Sequence, residues 1–161
     1  MYRLAIDTSS GFAQIALKSK TEIIVRRSES NNSQAEDIAV ILDDLLKEQK
    51  ISFKEIKKIY VLIGPGSFTG IRVAVAFVKG LVIGRDDLEI IPVSNFEFYA
   101  INYEELWKDY KAIEVFIDCS KNKEEFFYQR FSSDLKPVSA AEIISYSTAE
   151  QKIKTNNEIK K

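Results

Sequence analysis

The residues best suited to chemistry form a glycine-rich segment, Gly64-Pro65-Gly66-Ser67-Phe68-Thr69-Gly70, between an apolar strand and an apolar helix. Backbone N–H groups in such a turn point towards the helix N-terminus, where the helix dipole adds partial positive charge. Gly66, Ser67, Thr69 and Gly70 are therefore candidates to contact a phosphate or an RNA backbone. The spacing matches neither the dinucleotide-binding glycine pattern nor the Walker pattern. The alternative is a purely structural turn that lets the helix pack close to the sheet.

Two aspartates stand at the ends of apolar runs. Asp7 precedes Thr8 and Ser9, and Asp118 precedes Cys119. A carboxylate in this position could hold Mg²⁺ and phosphate, and a small ATPase or phosphotransferase using Asp7 and Asp118 is the corresponding enzyme hypothesis. Thr8 and Ser9 would then join the phosphate contact. The alternative is that the Asp7 side chain caps its own turn.

Composition excludes several other chemistries. The 161-residue chain contains no histidine, which removes His-based zinc sites, Ser-His-Asp triads and Cys-His dyads. Any chemistry would therefore have to use carboxylates, lysine, tyrosine or Cys119. Lys+Arg number 23 against 24 Asp+Glu, whereas a dedicated nucleic-acid binder usually shows a basic excess. A single cysteine and the lack of any run near the ~20 apolar residues of a membrane span predict a cytoplasmic protein.

The elements that position these residues can be predicted from hydrophobic periodicity. Three strands should form an antiparallel meander, a helix should follow with Ser33 as its cap, and Ser52 should open a short helix with Glu55 as capping partner. The glycine segment then lies between a strand and a helix. The predicted N-terminal segments are strands Leu4–Asp7, Phe12–Leu17 and Glu22–Arg26, a helix with its apolar stripe at Ile38–Leu46, strand Ile59–Ile63, helix Ile71–Ile83, strand Glu89–Val93 and helix Asn95–Trp107.

The order strand, aspartate, polar turn, strand then begins again. Strands are predicted at Ile113–Asp118, Phe126–Phe131 and Ala140–Tyr146, with one terminal helix after them, and the charged tail Glu150–Lys161 is expected to fray. The repetition predicts an α/β fold of two related lobes, with an N-terminal lobe over residues 1–100 and a shortened C-terminal lobe over residues 101–161.

The helix at Ile71–Ile83 is apolar almost all round. Such a helix is covered either by its own core or by a partner. The preceding helix also has a broad apolar stripe, and one small sheet would have difficulty covering both, so an oligomer interface is one hypothesis and a core-only role is the other.

Several of these segments together resemble the TsaB (YeaZ) family. The resemblance covers residues 3 to 100 in order and spacing, with a weaker continuation from Ile117 to Tyr128. The segments that carry it are Ala5-Ile6-Asp7-Thr8-Ser9, Gly64-Pro65-Gly66-Ser67-Phe68-Thr69-Gly70-Ile71-Arg72, Gly80-Leu81 and Pro92-Val93-Ser94. It implies an actin-like (ASKHA, ribonuclease H-like) fold with two duplicated lobes.

The resemblance also implies a function. Such a protein acts in threonylcarbamoyl transfer to adenosine 37 of tRNA as a non-catalytic subunit that binds the catalytic paralogue TsaD. The TsaE ATPase joins that pair, and the protein contacts tRNA only as part of the complex. Homodimers form through the same surface. ATP and Mg²⁺ would belong to those partners, so no cofactor, catalytic residue or metal site is assigned to this chain.

The surface implied for the partner lies on helices matching Gln34–Glu48 and Gly70–Gly84. We assign to it Ile38, Ile41, Leu42, Leu45, Arg72, Val75, Ala76, Val78 and Lys79. Two departures from the family pattern accompany the match: Ser33-Gln34 stands where many relatives have a histidine, and the second lobe is short. The second departure is the reason that ATP binding is not carried over.

Overall fold

The protein divides into two units, each with its own β-sheet. The structure is a computed structural model that describes residues 2–30, 34–102, 111–119 and 124–158. The units are Met1–Ser94 and Asn95–Lys161, whereas the sequence analysis placed the lobe boundary after residue 100.

The first unit is built on a five-stranded sheet in the order β3-β2-β1-β4-β5. Strands β1, β2 and β3 form the predicted antiparallel meander, and β4 and β5 join β1 in parallel. The strands are β1 Tyr2–Asp7, β2 Gln14–Lys18, β3 Ile23–Arg27, β4 Ile56–Leu62 and β5 Glu89–Val93.

Two helices and a short 3-10 turn connect these strands. They are α1 Gln34–Glu48, the turn Phe53–Glu55 and α2 Phe68–Leu81. The predicted capping box is confirmed, because Ser52 and Glu55 exchange both bonds. Helix α2 begins before the predicted Ile71, since the Ser67 side chain accepts a hydrogen bond from the Gly70 N–H and caps the helix there. The predicted Ser33 cap lies outside the described residues.

Both helices pack on the same face of this sheet. Alternating residues of the strands point towards them, as period-two side-chain placement requires. The resulting core joins Leu4, Ile6, Ile15, Leu17, Ile59 and Val61 of the strands to Ile38, Leu42 and Leu45 of α1 and to Ala74 and Val78 of α2. One sheet face therefore covers the inner sides of both helices.

Arg85 secures the connection from α2 to β5. Its guanidinium donates hydrogen bonds to the carbonyl oxygens of Phe53 at 3.1 Å and Ile56 at 3.0 Å. It also pairs with Asp87 at 2.7 Å, and Lys57 reaches the same carboxylate at 2.6 Å. The hydrogen bonds from Arg85 and then from Lys57 hold the pKa of the Asp87 carboxyl well below its usual range.

The second unit is a three-layer arrangement around an antiparallel sheet, β6-β7-β8. Phe96 and Ala100 of α3 pack on one side with Val115 and Phe131, while Ala149 of α4 packs on the other with Tyr128 and Ile144. The elements are α3 Asn95–Asn102, β6 Ala112–Asp118, β7 Glu125–Ser132, β8 Glu142–Ser145 and α4 Tyr146–Glu158. The rest of the predicted Asn95–Trp107 helix lies outside the described residues.

Helix α4 corrects the expectation of a frayed tail from Glu150. The helix continues to Glu158. The Ser145 hydroxyl accepts a hydrogen bond from the Thr148 N–H at its start, and Lys154 pairs with Glu150 at 2.8 Å along its surface. A capping bond and an i,i+4 ion pair favour helix over coil.

The two units share a run of four elements, which is β1-β2-β3-α1 in the first unit and, after α3, β6-β7-β8-α4 in the second. In each, an antiparallel meander of three strands leads into a helix, and an aspartate (Asp7 or Asp118) ends the first strand. Among the described residues the second sheet has three strands where the first has five. The order of strands, aspartate and helix therefore repeats between the two units.

Alanine substitutions in α1 should lower the free energy of unfolding on its core side and leave it nearly unchanged on its exposed side. Leu45→Ala should lower the free energy of unfolding by about 2–5 kcal/mol, because Leu45 is buried and the deletion leaves a cavity. Val40→Ala, at an exposed position of the same helix, should change it by less than about 0.5 kcal/mol. Urea denaturation followed by circular dichroism measures both, and equal losses would contradict the packing described.

The ion pairs of Asp87 with Arg85 and Lys57 should make the stability of the fold depend on pH in the acid range. A carboxyl whose folded pKa is lowered stabilises the fold above its unfolded pKa of about 4, and this contribution is lost as pH falls through the folded value. Asp87→Asn should therefore lower the urea midpoint at neutral pH, with the difference shrinking in acid. Asp86→Asn, an exposed neighbour, is the matched control; a pH-independent difference for Asp87→Asn would refute the linkage.

Candidate functional site

The turn after β1 folds back on its own aspartate. Asp7 Oδ1 accepts hydrogen bonds from the Ser9 backbone N–H at 2.7 Å and from the Ser9 hydroxyl at 2.6 Å. This is the self-capping alternative left open by the sequence. Asp118 lies in the second unit, at the end of β6.

The glycine segment packs directly against this turn. The Ser67 N–H donates to the Ser9 carbonyl oxygen at 2.8 Å, and the Thr8 hydroxyl donates to the Gly70 carbonyl oxygen. A Cβ on Gly66 would lie 2.8 Å from the Ser9 oxygen, and one on Gly70 would overlap the Thr8 oxygen. These two glycines are required because the backbone of the β1 turn occupies the space that a side chain would need.

This packing decides which predicted phosphate contacts remain accessible. Thr8 is fully buried, and Ser9 and Gly70 are also buried. The chain's own atoms surround these three residues, and their contact with a phosphate or RNA stays a prediction. The accessible members of the predicted set are Thr69, which is exposed, and Asp7, Gly66 and Ser67, which are half-buried.

No metal cluster is evident at this junction. Within the described ranges, no group of three or more His, Cys, Asp or Glu side chains is placed to hold a metal ion. Likewise, no helix in the described part of the chain is both long and apolar enough to cross a membrane.

The predicted partner surface is only partly exposed. Ile38, Leu42, Leu45 and Val78 have at most 5% of their surface exposed and lie in the core. Their side chains already pack against the sheet, and the contact of these four residues with a partner stays a prediction. Ile41 and Val75 are half-buried, and Arg72, Ala76 and Lys79 are exposed.

Sequence reasoning missed the most exposed apolar residues of the same helices. Phe68 is 74% exposed, Val40 of α1 is 58% exposed, and Ile83, just beyond α2, is 82% exposed. Phe68, Arg72 and Ala76 recur every four residues and so share one side of α2. That spacing could have identified the outward stripe. We call the exposed set the helical face; it consists of Val40, Phe68, Arg72, Ala76, Lys79 and Ile83.

Charge is unequally distributed beside the helical face. Arg72 lies with its guanidinium carbon 5.3 Å from the Phe68 ring centroid, in cation–π range, and Lys79 is exposed further along α2. Helix α1 instead exposes four carboxylates, of which Asp43 pairs with Lys47 and Glu48 pairs with Arg26; the other two are Glu36 and Asp44. A partner would therefore meet an apolar stripe with cations on one helix and an acidic surface on the other.

Two glycines of α2 provide a matched test of the junction. Gly70→Ala should strongly destabilise or unfold the protein, because the added Cβ would lie 2.9 Å from the Thr8 carbonyl carbon and closer still to its oxygen. Gly80→Ala should be neutral or stabilising by up to about 1 kcal/mol, since no atom lies within 4 Å and alanine favours helix. Thermal and urea denaturation measure both. Similar effects at the two positions would show that the turn does not contact Gly70 as described.

The chain is similar to one family model and to several curated proteins. A family model described as "TsaD: tRNA N6-adenosine threonylcarbamoyltransferase" matches residues 25–112. The chain is 29% identical over 154 residues to "tRNA threonylcarbamoyladenosine biosynthesis protein TsaB" of Buchnera aphidicola subsp. Baizongia pistaciae, covering 93% of this chain and 68% of that protein. It is 35% identical over 102 residues to the protein of the same name from Bacillus subtilis, covering 62% of this chain and 43% of that one.

A solved structure extends the likeness to the fold. "YeaZ from Pseudomonas aeruginosa" superposes with a TM-score of 0.74 at 20% identity, covering 89% of this chain and 67% of that chain. The chain thus spans 43% and 68% of the lengths of the two curated relatives given above. The matched family model, these relatives and the shared actin-like (ASKHA-type) fold show that the chain belongs to the TsaB (YeaZ) family.

Proposed function

We propose that this chain is a non-catalytic subunit in the synthesis of threonylcarbamoyladenosine in tRNA, acting as the partner of a TsaD-type transferase. The pathway is that named for its relatives. The partner would be a protein of the paralogous family whose model this chain itself matches. The TsaE ATPase would join the pair, and tRNA would be met through the complex.

The observation that carries this proposal is the helical face. Phe68, Ala76 and Ile83 expose apolar surface along one side of α2 and just beyond its end, while the opposite side of the same helix already fills the core. Contiguous exposed apolar surface rimmed by polar residues is typical of a protein–protein interface. Since the inner stripe is occupied by the sheet, any partner must use this outer stripe, and a homodimer would compete for it.

The charges of the face favour a specific partner over non-specific association. Arg72 and Lys79 lie on the same side of α2 as the exposed apolar residues, and the exposed side of α1 is acidic. A partner that places acidic groups opposite α2 and basic groups opposite α1 would be selected by electrostatic complementarity. Arg72 also places its guanidinium in cation–π range of the exposed Phe68 ring, beside the apolar surface.

A non-catalytic role fits the closed junction at the glycine segment. The Asp7 oxygen that receives both Ser9 bonds is committed to its own turn, and the buried Thr8 hydroxyl donates to Gly70. A phosphate would have to displace these internal bonds before reaching the glycines. The chain also has no histidine with which to hold a metal or act as a general base. This packing provides no contact that supports the alternative hypothesis of an ATPase using Asp7 and Asp118.

A charge introduced into the helical face should break the proposed heterodimer. Ala76→Asp should weaken binding to the TsaD paralogue of the same organism by roughly a hundredfold or more, because an unpaired charge in an apolar interface costs about 3–5 kcal/mol. Ala76 is preferable to the half-buried Val75, where an aspartate would also disturb the core. Calorimetry on purified proteins measures the affinity, and circular dichroism checks that the variant is folded.

The control is Ile153→Asp, which places the same charge at an exposed aliphatic position on α4 of the second unit. It should leave the affinity unchanged. Absence of any complex at micromolar concentration with the unmodified chain, or equal binding by both variants, would refute the proposal. Reconstituted transfer of the threonylcarbamoyl group to tRNA should fall with Ala76→Asp and persist with Ile153→Asp.

A further inference from the structure

The sheet of the first unit has a second face, opposite α1 and α2, that carries a shallow trough. The trough has a volume of about 280 Å³. The residues of this face that we use below, called the outer face, are Arg3, Ala5, Ala16, Lys18, Ile23 and Tyr60. None of them belongs to the helical face or to the glycine junction.

Strand register explains the shape of the trough. Ala5 lies directly across from Ala16 on β2 and beside Tyr60 on β4. Ala16 is in turn paired with Val25 on β3. Side chains paired across strands point to the same face, so a floor of two alanines lies between a valine on one side and a tyrosine on the other.

The trough has exposed apolar walls. Ile23 and Val25 on the edge strand are 60% and 55% exposed. Sheets with parallel strands, such as β1-β4-β5, normally carry helices on both faces, and α1 and α2 both lie on the opposite one. The alanine floor lets another element approach the sheet closely.

Two unpaired cations lie next to this apolar row. Arg3 and Lys18 are paired directly across from each other on β1 and β2, and both are exposed. Lys58, the next residue in the row, is neutralised by Glu89 at 2.6 Å. Across the ranges that the structure describes, neither Arg3 nor Lys18 forms an ion pair. Like charges directly opposite on neighbouring strands are destabilising, so an anionic group placed between them would relieve a cost that the free chain carries.

We propose that the outer face is a docking surface for an acidic amphipathic helix of another protein. The apolar side of that helix would lie on Ala5 and Ala16 between Ile23 and Tyr60, and an acidic side chain would pair with Arg3 and Lys18. A second copy of this chain is a poor occupant, since two such faces would bring four unpaired cations together. RNA is disfavoured because the walls are aliphatic and two cations can neutralise few phosphates.

Two synthetic helical peptides provide the probe. Both carry the same leucine and alanine stripe, and one has glutamate and the other lysine beside the stripe. Binding of each to the full chain is followed by fluorescence anisotropy at low salt. We expect the glutamate peptide to bind at least roughly tenfold more tightly than the lysine peptide, and less tightly as salt is raised.

Substitutions in the outer face test the assigned residues. Lys18→Glu should lower the affinity for the glutamate peptide by roughly tenfold and raise the affinity for the lysine peptide. Loss of folding could not produce this reversal. Ala16→Trp should weaken both peptides, because the indole would fill the floor. Lys154→Glu, on the second unit, is the control and should change neither affinity. The thermal midpoint of Lys18→Glu should not fall, since a like-charge pair becomes an unlike one.

Several results would overturn the proposal. These are equal affinities of the two peptides, no binding of either near millimolar concentration, and insensitivity to Lys18→Glu. Tighter binding of a 20-nucleotide single-stranded RNA, lost in Lys18→Glu, would assign the face to nucleic acid instead. Self-association that sedimentation shows to depend on Ala16 would assign it to a second copy. Peptide binding that is lost in Ala76→Asp and unchanged in Lys18→Glu would assign the peptide to the helical face, so failure of this proposal can be distinguished from failure of the heterodimer proposed above.

Discussion

The packing of the β1 turn against the glycine segment determines how the first unit presents its surfaces. The Ser67 N–H and the Gly70 carbonyl oxygen bond to Ser9 and Thr8, and this attaches the N-terminus of α2 to the end of β1. A helix fixed at one end, with Ala74 and Val78 in the core, has little rotational freedom. The stripe containing Phe68 and Ala76 must then point away from the sheet. A motif that resembles a ligand-binding loop thus acts as a structural joint that orients the helical face.

The same joint explains why glycines cluster in a protein for which we assign no nucleotide. A phosphate-binding loop needs glycines so that a ligand can approach the backbone. Here the approaching group is another part of the backbone, at Thr8 and Ser9, and the steric requirement is identical. The sequence pattern reports that something lies close to Gly66 and Gly70, and it does not report whether that neighbour is a ligand or the chain itself.

Much of the fold could be predicted from the sequence because its local signals agree. Alternation in the first 27 residues, the capping box at Ser52 and the apolar stripe of α1 each specify one structure. The choice of interface residues could not be predicted in the same way. Helix α2 is apolar on nearly all sides, so periodicity cannot separate its core side from its partner side. Ile38, Leu42, Leu45 and Val78 were therefore assigned to a partner although the sheet buries them.

The register between neighbouring strands could not be predicted from the sequence either. Arg3 and Lys18 are far apart in the chain, and only the pairing of β1 with β2 places them side by side. The acidic surface of α1 and the cations of the outer face lie on opposite sides of one sheet. A near-zero net charge can thus hide two surfaces of opposite sign. Since each would attract a different class of partner, the net charge of −1 limits total affinity for RNA but says little about how many proteins this small chain can bind at once.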